Sequence, residues 1–278
     1  MRLGLSTLGR LAPGPVSHLA TRLFLTPPRV APPARESWWS AEARSERLTT
    51  SLGGLAGWRW GSLGSPRVLL VHGWGGRGLQ LGAIAMALEE RGAEVATFDG
   101  PGHGASTGRR SSLPAMVEAV LAAVDRWGPF DAVVAHSFGA ATTLAALARR
   151  PDLGIERLVF LAPVVEFADV FRYFGGLTGF PPSVVERLQR RLEHRFAIDF
   201  ESLETTSRAA ADGRRLLVLH DAGDREVPID QGLALVDRWP GATLRRTQGL
   251  GHRRLLHDPR VVAEATAFLA AEPVSAPC

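Results

Sequence analysis

The sequence predicts an α/β protein: a mostly parallel, doubly wound sheet with a helical insertion capping one end. Three observations carry this. From about residue 51 short apolar runs alternate with helical patterns. The apolar runs are continuous, as in strands buried on both faces. One long segment, residues 164–212, contains no convincing strand and interrupts the alternation. Strands separated by helices of ordinary length require crossover connections, hence a parallel sheet covered on both sides.

The elements follow in chain order. Leu55–Gly61 reads as a strand, Arg67–His72 (RVLLVH) as a buried one, and Leu79–Arg91 as a helix with Gly92 at its C-terminal cap. Glu94–Phe98 is the next strand. Ser111–Trp127 opens on Ser-Ser-Leu-Pro, a capped start, and continues as a helix. Asp131–His136 (strand), Phe138–Arg150 (helix, ended by Pro151) and Ile155–Ala162 (strand) follow. After the insertion come Arg215–His220, Pro228–Trp239 and Ala242–Gln248 as strand, helix and strand, then a last helix over Asp258–Ala271. The insertion itself carries helical stretches at about Phe167–Phe174, Pro182–Phe196 and Phe200–Ala211. The predicted organisation is an N-terminal basic segment (1–50), a core built from 51–163 and 213–273, and a helical cap (164–212).

Composition narrows the function classes. Of 278 residues, 45% are hydrophobic and 22% charged, a globular balance. The net charge is only +4, yet the pI is about 10.6, because all 32 basic residues are Arg. With 28 acids interspersed, this is compositional background and predicts no nucleic-acid partner. The single cysteine, Cys278, excludes an intrachain disulfide and any Cys-based zinc site, and no HExxH metal motif occurs. No metal and no cofactor are expected. A cysteine-poor chain without an apolar run of spanning length fits a cytoplasmic location. Residues 1–35 contain Arg2, Arg10, Arg22, Arg29 and Arg35 but no acid. Within them Val16–Leu25 forms a short amphipathic helix, started at Pro15 and stopped at Pro27–Pro28, expected to pack on the domain surface.

In parallel sheets functional groups collect on loops at the carboxyl ends of strands. Five such loops hold unusual residues: HGWGG (72–76), DGPGHGAS (99–106), AHSFG (135–139), HDAGDREVP (220–228) and GLGHRRLL (249–256). Ala135-His136-Ser137-Phe138-Gly139 has the form of a nucleophile elbow, in which small residues around Ser137 let strand and helix approach. Ala135 replaces the first glycine of that pattern. A serine at neutral pH needs a base and an acid to orient it. The chain order Ser137, then Asp221 or Asp224, then His252 supplies both.

Together these motifs resemble the α/β-hydrolase family over roughly residues 55–271. The resemblance implies Ser137 as nucleophile, Asp224 as acid and His252 as base, with an oxyanion hole from the amides of Trp74 and Phe138. Asp221 is the rival acid and stands where the family-like pattern has Gly. The free amides of the helix that begins after Ser137 supply an independent reason for oxyanion stabilisation there. His72, Asp99 and His103 are expected to fix turns. His136, Phe167, Phe171 and Phe174, with Phe180, are the candidate pocket residues. The expected activity is hydrolysis of a small-molecule carboxylic ester through an acyl-enzyme. The alternatives are a non-catalytic binder of a small molecule or protein, or a lipase or thioesterase that meets a membrane surface through residues 1–30.

Overall fold

The computed structural model describes residues 2–62, 66–200 and 213–270. Eight strands form one sheet: β1 (Arg44–Thr50), β2 (Gly53–Trp60), β3 (Arg67–Val71), β4 (Glu94–Phe98), β5 (Ala132–His136), β6 (Arg157–Leu161), β7 (Arg215–Asp221) and β8 (Thr243–Thr247). Their order is β1-β2-β4-β3-β5-β6-β7-β8. β1–β2 and β2–β4 are antiparallel and every other pair is parallel.

Period-two alternation splits the sheet residues between two cores. Leu69, Val71, Val133, Ala135, Leu158 and Phe160 face one side, under helices α5 (Leu113–Trp127) and α6 (Phe138–Arg149). Val68, Leu70, Val134, Val159 and Leu161 face the other, under α4 (Gly82–Glu89) and the last helix, α11 (Pro259–Ala270). Both faces are covered, which is why the central strands read as unbroken apolar runs.

The N-terminal segment holds more structure than its sequence suggests. It forms α1 (Arg2–Leu11), α2 (Pro13–Phe24), α3 (Ala34–Ala41) and then β1. Strand β1, RSERLTT, is an edge strand with one fully buried side chain, Leu48, so it has no apolar run to announce it. Helix α2 starts two residues before the expected Pro15 and packs through the small buried residues Ser17, Ala20 and Thr21. In the insertion, α7 (Phe167–Thr178) and α8 (Pro182–Phe196) form as expected, and α8 buries Val184, Leu188 and Leu192 on one stripe. Arg191 of α8 donates to Ser17 Oγ of α2 at 3.2 Å, so the N-terminal helix rides on the insertion. The third expected helix, Phe200–Ala211, lies outside the described residues beyond Phe200, as does Cys278. Gln231, on α9 (Ile229–Asp237), accepts from the amides of Val165 and Glu166 at 2.7 and 3.1 Å, which ties the start of the insertion to the core.

No described helix is long and apolar enough to cross a membrane.

Candidate active site

Strand β5 ends at His136, and the chain turns at once into α6 through Ser137. Ser137 has φ 54° and ψ −122°, a region that L-residues rarely adopt and that stores about 1–3 kcal/mol of strain. Three hydrogen bonds hold it there. Its N–H donates to Leu161 C=O at 2.9 Å, and its C=O accepts from Ala140 and Val164 at 3.0 and 3.1 Å. The turn is so tight that a Cβ on Gly139 would lie 2.5 Å from Val71 O, and one on Gly73 2.8 Å from Ser137 Cβ. Glycine at both positions lets the loop after β3 press against the serine.

His252 lies on α10 (Gly251–Arg254), in the turn that follows β8. Its Nε2 is 2.9 Å from Ser137 Oγ and its Nδ1 is 2.7 Å from Asp224 Oδ2. Asp224 Oδ1 accepts from the amides of Glu226 and Val227 at 2.8 and 3.0 Å. Burial pushes the Asp224 carboxyl up, but the His252 hydrogen bond and charge, with those two amides, outweigh it and hold it below the usual carboxylate value. The two aspartates are thereby separated. Asp221 makes no hydrogen bond to His252. Its Oδ2 accepts from Thr247 Oγ1 and Leu250 N–H, both at 2.9 Å, and its Oδ1 from Gly223 N–H at 3.0 Å. It fastens the loop that carries His252. His220, fully buried, donates through Nε2 to Val227 C=O at 3.1 Å and fastens the Asp224 loop.

The loop after β3 is built by its histidines. His72 donates from Nδ1 to Gly73 C=O at 2.7 Å and accepts from Gly100 N–H through Nε2 at 2.8 Å. Burial lowers its pKa to about 4, so it stays neutral. His103 donates to Pro101 C=O at 3.0 Å, and burial, with His72 nearby, lowers its pKa to about 3. Asp99 accepts from the amides of Gly78 and Ala105 at 2.8 and 2.7 Å. All three act as turn fasteners. Arg77 extends the same loop to the N-terminal segment, with a bidentate pair to Glu36 of α3 at 2.8 Å on both arms and a bond to Val30 C=O at 3.0 Å. Trp74 sits in the turn closed by Gly76 N–H to Gly73 C=O at 3.0 Å, and Phe138 is the first residue of α6. Neither amide donates a hydrogen bond among the described residues.

Ser137 and His252 open into a cavity of about 310 Å³. That is the lower end of the ~300–1,000 Å³ range for small-molecule sites. Its wall is overwhelmingly apolar. Phe167 and Phe174 belong to it, with Val170, Tyr173 and Leu177 of the same helix. Phe171 does not line the cavity. It is buried behind the wall, stacked on Phe24 (5.3 Å) and edge-on to Phe200 (5.1 Å), because it lies off the stripe 167, 170, 174, 177. Phe180 is likewise buried outside the wall, beside Phe174. His136 does line it and contacts His252 with ring centroids 4.6 Å apart.

Sequence reasoning missed the contribution of α2, whose Leu23 and Phe24 form part of the wall, and of the charged rim, Glu226 and Arg253. The rim pair is bonded at 3.2 Å. Its signal was adjacency: each residue lies within two positions of Asp224 or His252. Among the described residues no cluster of His, Cys, Asp or Glu is arranged to hold a metal ion.

Comparison with known proteins gives the same fold. A family model described as serine aminopeptidase, S33, matches residues 65–214. No curated protein matches the chain. Among solved structures, the esterase Pf2001 of Pyrococcus furiosus superposes with a TM-score of 0.65 at 18% identity, covering 88% of this chain and 96% of that one. Est1E of Butyrivibrio proteoclasticus, solved with ferulic acid bound, gives 0.64 at 20% identity, covering 81% and 96%. Alpha/beta hydrolase domain-containing protein 10 from mouse gives 0.61 at 20%, again covering 81% and 96%. At such identities the likeness is one of fold.

Proposed function

The chain belongs to the serine aminopeptidase S33 family of α/β-hydrolases, and on that premise we propose that it hydrolyses carboxylic esters with an apolar acyl group. The observation that carries this is the relay Asp224–His252–Ser137 opening directly into an apolar cavity.

The geometry supports the following steps. Ser137 Oγ attacks the ester carbonyl carbon as its proton passes to His252 Nε2, 2.9 Å away. Asp224, held ionised, accepts the Nδ1–H bond and stabilises the imidazolium. The carbonyl oxygen, now negative, takes hydrogen bonds from the Trp74 and Phe138 amides. The C–O bond to the alcohol breaks, and the alkoxide leaves with the proton from His252. Water, deprotonated by His252, then attacks the acyl-enzyme and releases the acid and Ser137.

The family description names peptide cleavage, but the cavity favours an ester. A carboxylate is the strongest partner for the ammonium group of an aminopeptidase substrate. The one acid among the described lining residues, Glu226, is already paired with Arg253. A fluorophosphonate probe tests the proposal. Wild-type protein should be labelled and Ser137→Ala should not. A p-nitrophenyl ester series should be turned over while aminoacyl p-nitroanilides are not. Folded wild-type protein that resists the probe, or that prefers the anilides, overturns it.

A further inference from the structure

Nine large apolar side chains are exposed among the described residues. Six of them, Leu8, Leu11, Leu19, Leu23, Tyr173 and Leu177, lie on α1, α2 and α7. Singly exposed leucines are ordinary, but a set gathered on adjoining helices is not. Leu19 and Leu23 stand four apart on α2, as do Tyr173 and Leu177 on α7, so each pair shares a helical face. Leu23, Tyr173 and Leu177 also line the cavity. Through Leu23, Tyr173 and Leu177 the exposed apolar surface of α2 and α7 is therefore continuous with the cavity wall, and α1, packed on α2, extends this collar with Leu8 and Leu11.

The charge on the α1 and α2 part of the collar has one sign. Arg10 and Arg22 are exposed and have no acidic partner among the described residues. No Asp or Glu occurs in residues 1–35. Asp169 of α7 and Glu226 at the mouth are paired with Arg172 and Arg253. We propose that this collar docks the protein, mouth first, on an anionic phospholipid bilayer, and that the ester reaches the cavity from the lipid phase; the second clause rests on the ester-hydrolase reading above. Leucines inserted at the headgroup boundary with unpaired arginines between them match such a surface in both polarity and charge. A second copy of the chain fits less well, since a two-fold contact through this face would bring the same arginines together.

Deleting the N-terminal segment is a poor test, because Ala20 and Leu25 are part of the core. The better variant is Leu11→Glu with Leu19→Glu, two exposed positions outside the cavity wall. Cosedimentation is measured with vesicles of equimolar phosphatidylcholine and phosphatidylglycerol, and with pure phosphatidylcholine, using Ser137→Ala protein so that nothing is hydrolysed. The expected result is binding to the anionic vesicles, about tenfold weaker on pure phosphatidylcholine and weakened by salt. The double variant should lose about tenfold or more while hydrolysing a soluble short-chain ester at the wild-type rate. Absent binding, or binding unchanged in the double variant, overturns the proposal. So does a concentration-dependent dimer that the same variant dissolves without any vesicle binding. Probe labelling separates the two readings: vesicle binding without labelling sinks only the hydrolase, and labelling without vesicle binding sinks only the docking surface.

Discussion

His136 donates its Nε2–H to the main-chain carbonyl of His252 at 3.0 Å, so the residue before the serine holds the backbone of the proposed base. Burial, with His252 close by, keeps the His136 imidazole far below its usual pKa and hence neutral. A neutral ring has one N–H, and this bond fixes it on Nε2. His136→Phe removes the donor and leaves a buried carbonyl unpaired, a loss of about 1–1.5 kcal/mol in positioning and so roughly tenfold in kcat. His136→Gln keeps a donor and should recover most of it. A His136→Phe protein with wild-type kcat and an unchanged melting temperature would show that the bond positions nothing.

Asp224 and Asp221 sit three residues apart and do different work. Asp224→Asn removes the charge proposed to stabilise the His252 imidazolium and should lower kcat by roughly 10³–10⁴ with little change in melting temperature. Asp221→Asn weakens three bonds that hold the His252 loop, to Gly223, Thr247 and Leu250. It should cost about 1–3 kcal/mol of stability and a smaller share of kcat. Kinetics and thermal melts on both variants decide this, and the reverse ranking in kcat would move the acid assignment to Asp221.

Acid should destabilise the fold well before the carboxylates titrate. His72 and His103 have pKa values lowered by burial to about 4 and about 3, and burial holds His136 well below its usual value in the same way. Unfolded, each takes a proton near its ordinary 6.5. Between roughly pH 6.5 and 4 the unfolded chain therefore binds more protons than the native one, and stability falls as pH falls. Asp99, whose carboxyl is raised by burial, opposes the trend near its lower end. Melting temperature should be level above about pH 7 and decline below it, and His103→Gln should reduce the slope. A flat profile down to pH 4.5 would contradict the buried neutral state of these rings.

The sheet and the residues proposed as the triad are legible because each rests on a local signal. Buried strands such as Val133–Ala135 are continuous apolar runs, and Ser137, Asp224 and His252 stand in the turns that follow β5, β7 and β8. What stayed hidden depends on partners distant in the chain. Strand β1 is charged, and only its pairing with β2 makes it a strand. Glu36 and Arg77 look like surface charges until the fold buries them against each other. By residue type Phe171 groups with Phe167 and Phe174, whereas the stripe that faces the cavity is set by helical phase.

Helix α2 shows the same limit and yields the prediction that bears most on substrate choice. Phe24 lies against Trp74 (6.3 Å), Phe171 (5.3 Å) and Phe174 (5.1 Å), and it lines the cavity. It is a wall shared by the N-terminal segment and the insertion, at the boundary of the space an acyl chain would fill. Phe24→Ala lengthens that space without touching Ser137 or His252. Each methylene gained in an apolar site is worth about 1–3 kcal/mol of discrimination, so the ratio of kcat/KM for long over short p-nitrophenyl esters should rise at least about tenfold. Phe24→Leu, a smaller loss of packing, should move the ratio the same way by less. Because truncation of a packed aromatic side chain also costs stability, up to about 3–5 kcal/mol where burial is complete, the melting temperature is measured alongside. A stable variant with an unchanged ratio would place the acyl group elsewhere in the cavity, towards Leu192 and Phe196 of α8, and would free α2 from any role in specificity.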